Sequence, residues 1–418
     1  MAEHGRAAPA TSASHAALSP ASSPASRAAP PAPHLFFSAG DTSGDQHAAR
    51  LLRRLAELCP GLTAQGLGGP ELAAAGCVLH EDLVRHAIVG IGGAAAAIPH
   101  MLGVLRRTAA ALDARRPDAL ILVDYPGLNL HVARLAHRRG IPVIYFVAPQ
   151  LWAWAPWRVA RFARVVDEAL VIFPFEVPFF ERAGLKATYI GHPLLDGLPA
   201  PDAPPSAACA AIRALPRPVA LLPGSRPREV REHMPLLLAA ARELAGRFPD
   251  ASFHAAHVSP LELSNMERAA RAAGVPLALH GADIHAVMAG CRAAAVASGT
   301  ATLETGLFGT PLVVVYRITR TERALARVLL VTDMVGQVNL VAGRKLCPEL
   351  LLVEDDAHAV AQALAPLLTD TPEWREQREA LSRLRRHVTS SRGAIEKAAQ
   401  HLAQRLRAAG HPGRASAS

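Results

Sequence analysis

The sequence predicts an α/β protein of two halves, each a parallel sheet wrapped by helices, with a cleft between them. Three observations carry this expectation. Short runs of Val, Ile, Leu and Phe alternate from His34 onward with longer amphipathic stretches, the pattern of buried strands joined by crossover helices. Several runs end in a Gly, Ser or Pro turn that opens directly into a helical stretch. Six prolines between Gly197 and Pro218 then break the alternation, after which it resumes. The resulting division is a polar Ala/Pro/Ser-rich tail at 1–33, a first half at 34–197 and a Pro-rich linker at 198–218. A second half follows at 219–370, then a charged helical region at 371–409 and a disordered tail at 410–418.

The totals agree with this plan. A chain of 418 residues is too long for one ordinary core, and a hydrophobic fraction of 50% marks it as globular. The net charge of +9 favours anionic partners without choosing among them. Five widely spaced cysteines with no Cys-x-x-Cys pair argue against a disulfide framework or a zinc site and fit a reducing compartment. Residues 1–33 lack the continuous apolar segment of a secretory signal and have too few large apolar side chains to build a core.

Order begins at the strand His34–Ser38, which opens into Ala39-Gly40-Asp41-Thr42-Ser43-Gly44-Asp45 and a helix. This turn lacks the G-x-G-x-x-G spacing, so a dinucleotide is poorly supported. The stretch from Ala87 to Leu105 is apolar but built of Gly and Ala. It reads either as a plain buried helix or as a weakly apolar surface beside Arg106 and Arg107 that rests on a bilayer, and spanning is disfavoured. The run Ala119–Val123 ends at Asp124, which either caps the next helix or points into the crevice at the strand's carboxyl end. Three of the four tryptophans fall within 152–157, a concentration suited to a sugar- or acyl-lining wall that includes Trp152 and Trp154.

In the second half, Leu221-Leu222-Pro223-Gly224-Ser225-Arg226 is expected to be a strand and tight loop before a helix at about 228–247. Such a loop aims backbone N–H groups at an anion, and Arg226 adds a planar cation. A second cradle, Ser298-Gly299-Thr300, follows the strand 293–297 and opens a helix in which Glu304 lies about one turn on. Glu304 is either a ribose acceptor or an ordinary acid at a helix N-terminus. Two such loops suit a nucleotide diphosphate. No G-x-x-x-x-G-K-[ST] occurs, which favours a sugar nucleotide over ATP, and no Asp-x-Asp pair points to a metal.

Together with Val123–Asn129, Val147–Trp154, Phe173-Pro174-Phe175-Glu176, Ile190-Gly191-His192-Pro193 and Val338–Arg344, these segments resemble the lipid-A-disaccharide synthases. That family comprises inverting glycosyltransferases with two Rossmann-like domains of the GT-B type. The resemblance implies transfer of 2,3-diacylglucosamine from its UDP carrier to the 6-hydroxyl of 2,3-diacylglucosamine 1-phosphate, with no cofactor, metal or nucleic acid. It further implies residence on the inner face of the cytoplasmic membrane, with the phospholipid surface as a partner, and it allows a homodimer. Asp124 and Arg226 are implied as catalytic. Gly224, Ser225, Ser298, Gly299, Thr300, Glu304 and Asn339 fall on the UDP side, and Ser43, Asp45, Trp152 and Trp154 on the acceptor or acyl side. Asp41, Gly93, Val338 and Lys345 depart from the family pattern. Two other readings are a UDP-N-acetylglucosamine 2-epimerase-like enzyme, which needs no lipid, and a non-catalytic nucleotide or lipid binder, which would tolerate loss of Asp124.

Overall fold

The structure, a computed structural model, describes residues 32–85, 94–154, 156–199, 203–281, 283–320, 334–389 and 393–409, without the side chains of 94–98, 154, 389 and 409. Nearly all of the expected tails at 1–33 and 410–418, together with Gly93 and much of the Gly/Ala stretch from Ala87, lie outside the described residues.

The first sheet comprises β1 (His34–Ala39), β2 (Thr63–Gly68), β3 (Cys77–Asp82), β4 (Ala119–Val123), β5 (Val143–Phe146), β6 (Glu168–Val171) and β7 (Lys186–Tyr189). Its spatial order is 3-2-1-4-5-6-7 and every pairing is parallel. β1 and β4 are the central pair, joined in the register Leu35 to Ala119 and Ala39 to Val123. Helices cover both faces, so β4 is apolar along its whole length and β1 is buried throughout, with only His34 and Ser38 polar. Phe36, Leu120 and Leu122 pack toward Val132 and Ala133, whereas Leu35, Phe37 and Ile121 pack toward Leu51, Leu52 and Leu55.

The second sheet comprises β8 (Arg217–Leu222), β9 (Ala251–Ala256), β10 (Leu277–His280), β11 (Ala293–Ala297), β12 (Leu312–Arg317) and β13 (Glu349–Leu352), in the parallel order 10-9-8-11-12-13. Within the stretch 198–218, helix Ala207–Arg213 buries Cys209 and Ile212. It lies so close to helix Ile284–Gly290 that a Cβ on Gly290 would sit 3.0 Å or less from Ile212 and the Cys209 carbonyl.

The charged C-terminal region is two helices with different attachments. Helix Pro372–Thr389 puts Leu381, Leu384 and Val388 into the core of the second half. Helix Ala394–Ala409 returns to the first half, where Ala398, Ala399, Leu402 and Ala403 join the cluster around Leu35 and Phe37. The return is anchored at Asp196, whose carboxylate accepts the N–H groups of Gly393 at 2.7 Å and Ile395 at 2.8 Å.

A second anchor is Glu168, fully buried at the start of β6. It accepts hydrogen bonds from Thr188 (2.8 Å) and His401 (2.9 Å) and pairs with Lys186 and Arg405. Burial alone would push its carboxyl up, but the bonds from His401, Lys186 and Thr188 outweigh it and hold the group well below the usual carboxylate range. A depressed carboxyl stabilises the fold above its unfolded value and loses that contribution as pH falls. Glu168→Ala should therefore destabilise the protein by about 3 kcal/mol at pH 7, the low end for a broken buried pair because its cations are partly exposed. Denaturant melts of the two proteins should converge only below pH 4.5, and hydrogen exchange in the variant should be fastest in 394–409.

Candidate active site

In each sheet the strand order reverses once, between β1 and β4 and between β8 and β11. At such a point neighbouring crossovers diverge to opposite faces and leave a crevice beyond the carboxyl ends of the strands. All four loops singled out in the sequence emerge there: Gly40–Asp45 after β1, Asp124–Gly127 after β4, Pro223–Arg226 after β8 and Ser298–Thr300 after β11.

The loop after β4 is strained. Asp124 and Tyr125 both adopt left-handed backbone conformations, with φ of 45° and 48°. Three side chains hold them. Asn129 donates to the carbonyls of Asp124 (2.7 Å) and Val123 (3.2 Å), Ser38 donates to Asn129 Oδ1 (2.6 Å), and the Tyr145 hydroxyl donates to the Asp124 carbonyl (2.5 Å). Gly40 is required opposite, because a Cβ there would lie 2.1 Å from the Tyr125 ring. The Asp124 side chain is thereby lifted out of the helix it precedes and does not cap it. Burial and the charge of Asp41 push its carboxyl up to about 6, against the Tyr125 N–H and Arg226.

The action of Arg226 on Asp124 brings the two halves together, since one residue follows β8 and the other β4. Arg226 is exposed toward this crevice. Gly224 turns the loop with φ of 115°, where a Cβ would meet Glu229 Oε2 at 2.4 Å. The N–H groups of Ser225 and Arg226, expected to be free for an anion, are engaged: Glu229 Oε2 accepts both, at 2.9 and 3.2 Å, and Glu229 Oε1 meets the Arg226 guanidinium at 3.1 Å. Glu229 is in the first turn of helix Pro227–Arg247 and reaches back to close the loop, as a third-position acid does.

The second cradle turns at Gly299, φ 144°, immediately before helix Thr300–Leu307. Ser298 Oγ donates to the Val335 carbonyl at 2.9 Å, and Thr300 is half-buried at the first position of the helix. Glu304 is half-buried rather than a solvated helix acid; burial pushes its carboxyl up to about 7, and His285 Nε2 lies 4.0 Å away. His285 is itself held below its usual value, chiefly by burial, with Arg50 of the first half adding to the effect.

Other expected site residues are committed to local structure. Asp45 is buried and spends its carboxylate on the N–H groups of Gly69 (2.7 Å), Glu71 (3.0 Å) and Leu72 (3.2 Å). Asn339 is fully buried: its amide donates to the Cys347 carbonyl and Glu349 and accepts from Leu346 and Cys347 N–H, which leaves it no open valence toward a nucleotide. Asp41 caps helix Thr42–Leu58 through the Gly44 N–H at 2.7 Å. Ser43 is half-buried with its hydroxyl 3.4 Å from His47 Nε2. Trp152 donates its indole N–H to Glu176 at 2.9 Å and stands edge-on to the exposed Phe175, while the Trp154 side chain lies outside the described residues. Among the departures, Val338 is buried against Gly306 and Lys345 is exposed.

The sequence reading missed His47, Glu229, His285 and Arg50. His47 is buried with Nδ1 unpartnered and lies close enough to His192 that a charge on it would disfavour protonation of His192. Burial holds His47 down to about 4 and His192 down to about 3, so both are neutral at pH 7. Their spacing signals were helical: His47 is one turn past Ser43, and Glu229 is three residues past Arg226.

The profile of the lipid-A-disaccharide synthetase family matches residues 35–405. A lipid-A-disaccharide synthase from Geobacter metallireducens is 36% identical over 88% of this chain and 96% of its own length. One from Anaeromyxobacter dehalogenans is 39% identical over 86% and 93%. Among solved structures, a UDP-N-acetylglucosamine 2-epimerase from Listeria monocytogenes aligns with a TM-score of 0.60 at 12% identity, over 89% of this chain and 95% of that one. The calicheamicin glycosyltransferase CalG4 aligns with 0.57 at 17%, over 90% and 98%. These two speak for the two-domain GT-B fold. The profile match over residues 35–405, on the fold and switch-point loops described above, establishes that the chain belongs to the lipid-A-disaccharide synthetase family.

Proposed function

We propose that this glycosyltransferase moves a 2,3-diacylglucosamine unit from UDP to the 6-hydroxyl of 2,3-diacylglucosamine 1-phosphate. The acceptor oxygen bonds to the anomeric carbon, the bond from that carbon to the diphosphate breaks on the opposite face, and the hydroxyl proton passes to a base. The observation that carries this reading is a strained, half-buried carboxylate at one switch point facing an arginine at the other. Asp124 is the base: a carboxyl raised to about 6 is ionised at neutral pH yet takes a proton more readily than a solvated one. Arg226, with the Ser298–Thr300 turn, stabilises the diphosphate as negative charge builds on it.

For Ser225 and Arg226 N–H to reach phosphate, Glu229 must swing out of the loop, so Gly224, Ser225 and Glu229 form one displaceable unit. Glu304 faces the ribose side. The Asn339 amide supports the nucleotide side through the backbone of 346–347, and Asp45 supports the acceptor side through residues 69–72. Ser43, Trp152 and Trp154 belong with the acceptor and its acyl chains, where exposed Phe175 and Trp157 extend an apolar rim. Attachment to the inner face of the cytoplasmic membrane would use the first half, where Leu102 is exposed beside Arg106 and Arg107. Among the described residues no helix is long and apolar enough to cross a bilayer.

Incubation with UDP-2,3-diacylglucosamine and 2,3-diacylglucosamine 1-phosphate should release UDP and form the disaccharide; no UDP release would sink the reading. Arg226→Ala should lower turnover about 100-fold or more while leaving the melting temperature nearly unchanged, because its side chain is 61% exposed.

Asp124→Asn separates chemistry from folding. Wild-type kcat/KM should rise with pH through about 6, and the variant should lose about 100-fold or more. A carboxyl raised by the fold is penalised once ionised, so wild-type stability falls as pH climbs from 3.8 toward 6. Asparagine carries no such penalty and tolerates the left-handed backbone. The inactive variant should therefore melt higher than wild type at pH 8, with the difference gone near pH 3.8; a lower melting point at pH 8 would refute the burial argument.

A further inference from the structure

We propose that the second half carries another anion site, distinct from the diphosphate loops although His285 beside Glu304 lies on its wall, which takes a phosphate-bearing molecule in the cavity between helices Ala207–Arg213, Ile284–Gly290 and Pro372–Thr389. The cavity has a volume of about 720 Å³, within the range of roughly 300–1,000 Å³ usual for small-molecule sites. It runs along helix Ile284–Gly290 to the amino ends of β8, β11 and β12, where Pro218, Arg292 and Pro311 line it. The four loops of the active site leave the opposite, carboxyl ends.

Its charge is one-sided. Arg213, Arg292, Arg378 and Arg385 all line the wall. The one acid among its described lining residues, Asp283, is occupied in capping helix Ile284–Gly290 through the Ala286 N–H. Trp374 gathers two of the cations, with the Arg292 guanidinium 4.3 Å and that of Arg378 4.9 Å from its ring. Packing on an indole explains why two guanidiniums gather at its ring. It does not explain why Arg292 buries its Nε with no hydrogen-bond partner, nor why like charges converge in one cavity. Burial, together with the charges of Arg217 and Arg378, holds Arg292 below its usual value despite Asp370 nearby.

A phosphate group answers both points: its oxygens match the planar fork of arginine, and its charge offsets the repulsion. Prolines 204, 205 and 216 and Phe308 complete the wall with apolar surface for the carbon skeleton of an ester. The source of the phosphate is either a soluble metabolite or a lipid headgroup, and the chemistry of recognition is the same. This proposal does not rest on the reading of the crevice.

Calorimetric titration with inorganic pyrophosphate tests the soluble source, run in an Arg226→Ala background so that the loops of the crevice contribute little. One equivalent should bind, and adding Arg213→Gln with Arg378→Gln, both exposed positions, should weaken it about tenfold or more at an unchanged melting temperature. Co-sedimentation with phosphatidylglycerol vesicles, set against phosphatidylcholine vesicles, tests the headgroup. Loss in the variant confined to the pyrophosphate arm assigns the site to a soluble phosphate, and loss confined to the vesicle arm assigns it to a lipid. Binding that the double substitution leaves unchanged in both arms, or no binding in either, overturns the proposal.

Discussion

Much of the first half answers to one constraint: a carboxylate must sit above the centre of a parallel sheet without becoming an ordinary helix cap. The default for an Asp at the end of β4 is to bond the N–H groups of the following helix. A left-handed bend at Asp124 and Tyr125 prevents it, at the expense of backbone strain that few side chains tolerate. The strain persists because Asn129, from the following helix, and Tyr145, from β5, bind the carbonyls of the bend, while Ser38 of β1 donates to Asn129 Oδ1 and fixes its amide. The most buried polar network of the first sheet thus serves a residue at its edge. It explains why a polar Ser38–Asn129 pair occupies the core between two otherwise apolar central strands.

The two halves meet through charge as much as through packing. Asp41 and Asp124 present negative charge on one side and Arg226 answers from the other. Arg50 of the first half acts on His285 of the second, which lies beside Glu304. Burial keeps His47, His192 and His285 from adding positive charge near neutral pH. The crevice therefore has few compensated cations of its own. On the proposed reading, a diphosphate would compete with Glu229 for the N–H groups of Ser225 and Arg226, which Glu229 now holds.

The fold was legible because parallel strands buried on both faces leave apolar runs, as β4 and β11 do throughout and β1 and β8 do in Leu35–Phe37 and Val219–Leu222. The loops that matter were legible because Gly and Pro punctuate them. Which polar side chains face the crevice was less so. Asp45 and Asn339 look like ligand groups in a motif, yet Asp45 is consumed by N–H groups of a distant loop and Asn339 by the turn that follows its own helix, pairings that no helix or strand periodicity announces. Glu229 was overlooked for the converse reason, since an acid in the first helical turn looks generic until the loop folds back upon it. The split fate of the C-terminal helices was hidden too, because amphipathic patterning tells which face is buried but not against which sheet.

That split governs how the crevice can move. The described chain passes between the halves near Asp196 and again near Gly393, and the Asp196 carboxylate binds both passages into one joint. Leu194 and Leu195, just before it, pack in the core of the second half, while Ile395, just after it, packs with the first. Two crossings tied at one point allow rotation about that point but resist translation, so motion of the crevice must pivot there. The arginine-lined cavity lies along the segments that lead away from this joint on the second-half side, helix Ala207–Arg213 following one crossing and helix Pro372–Thr389 preceding the other. An anion drawing Arg213 and Arg378 together would therefore stiffen the two arms on which the pivot turns, a coupling that needs no contact with the reacting groups.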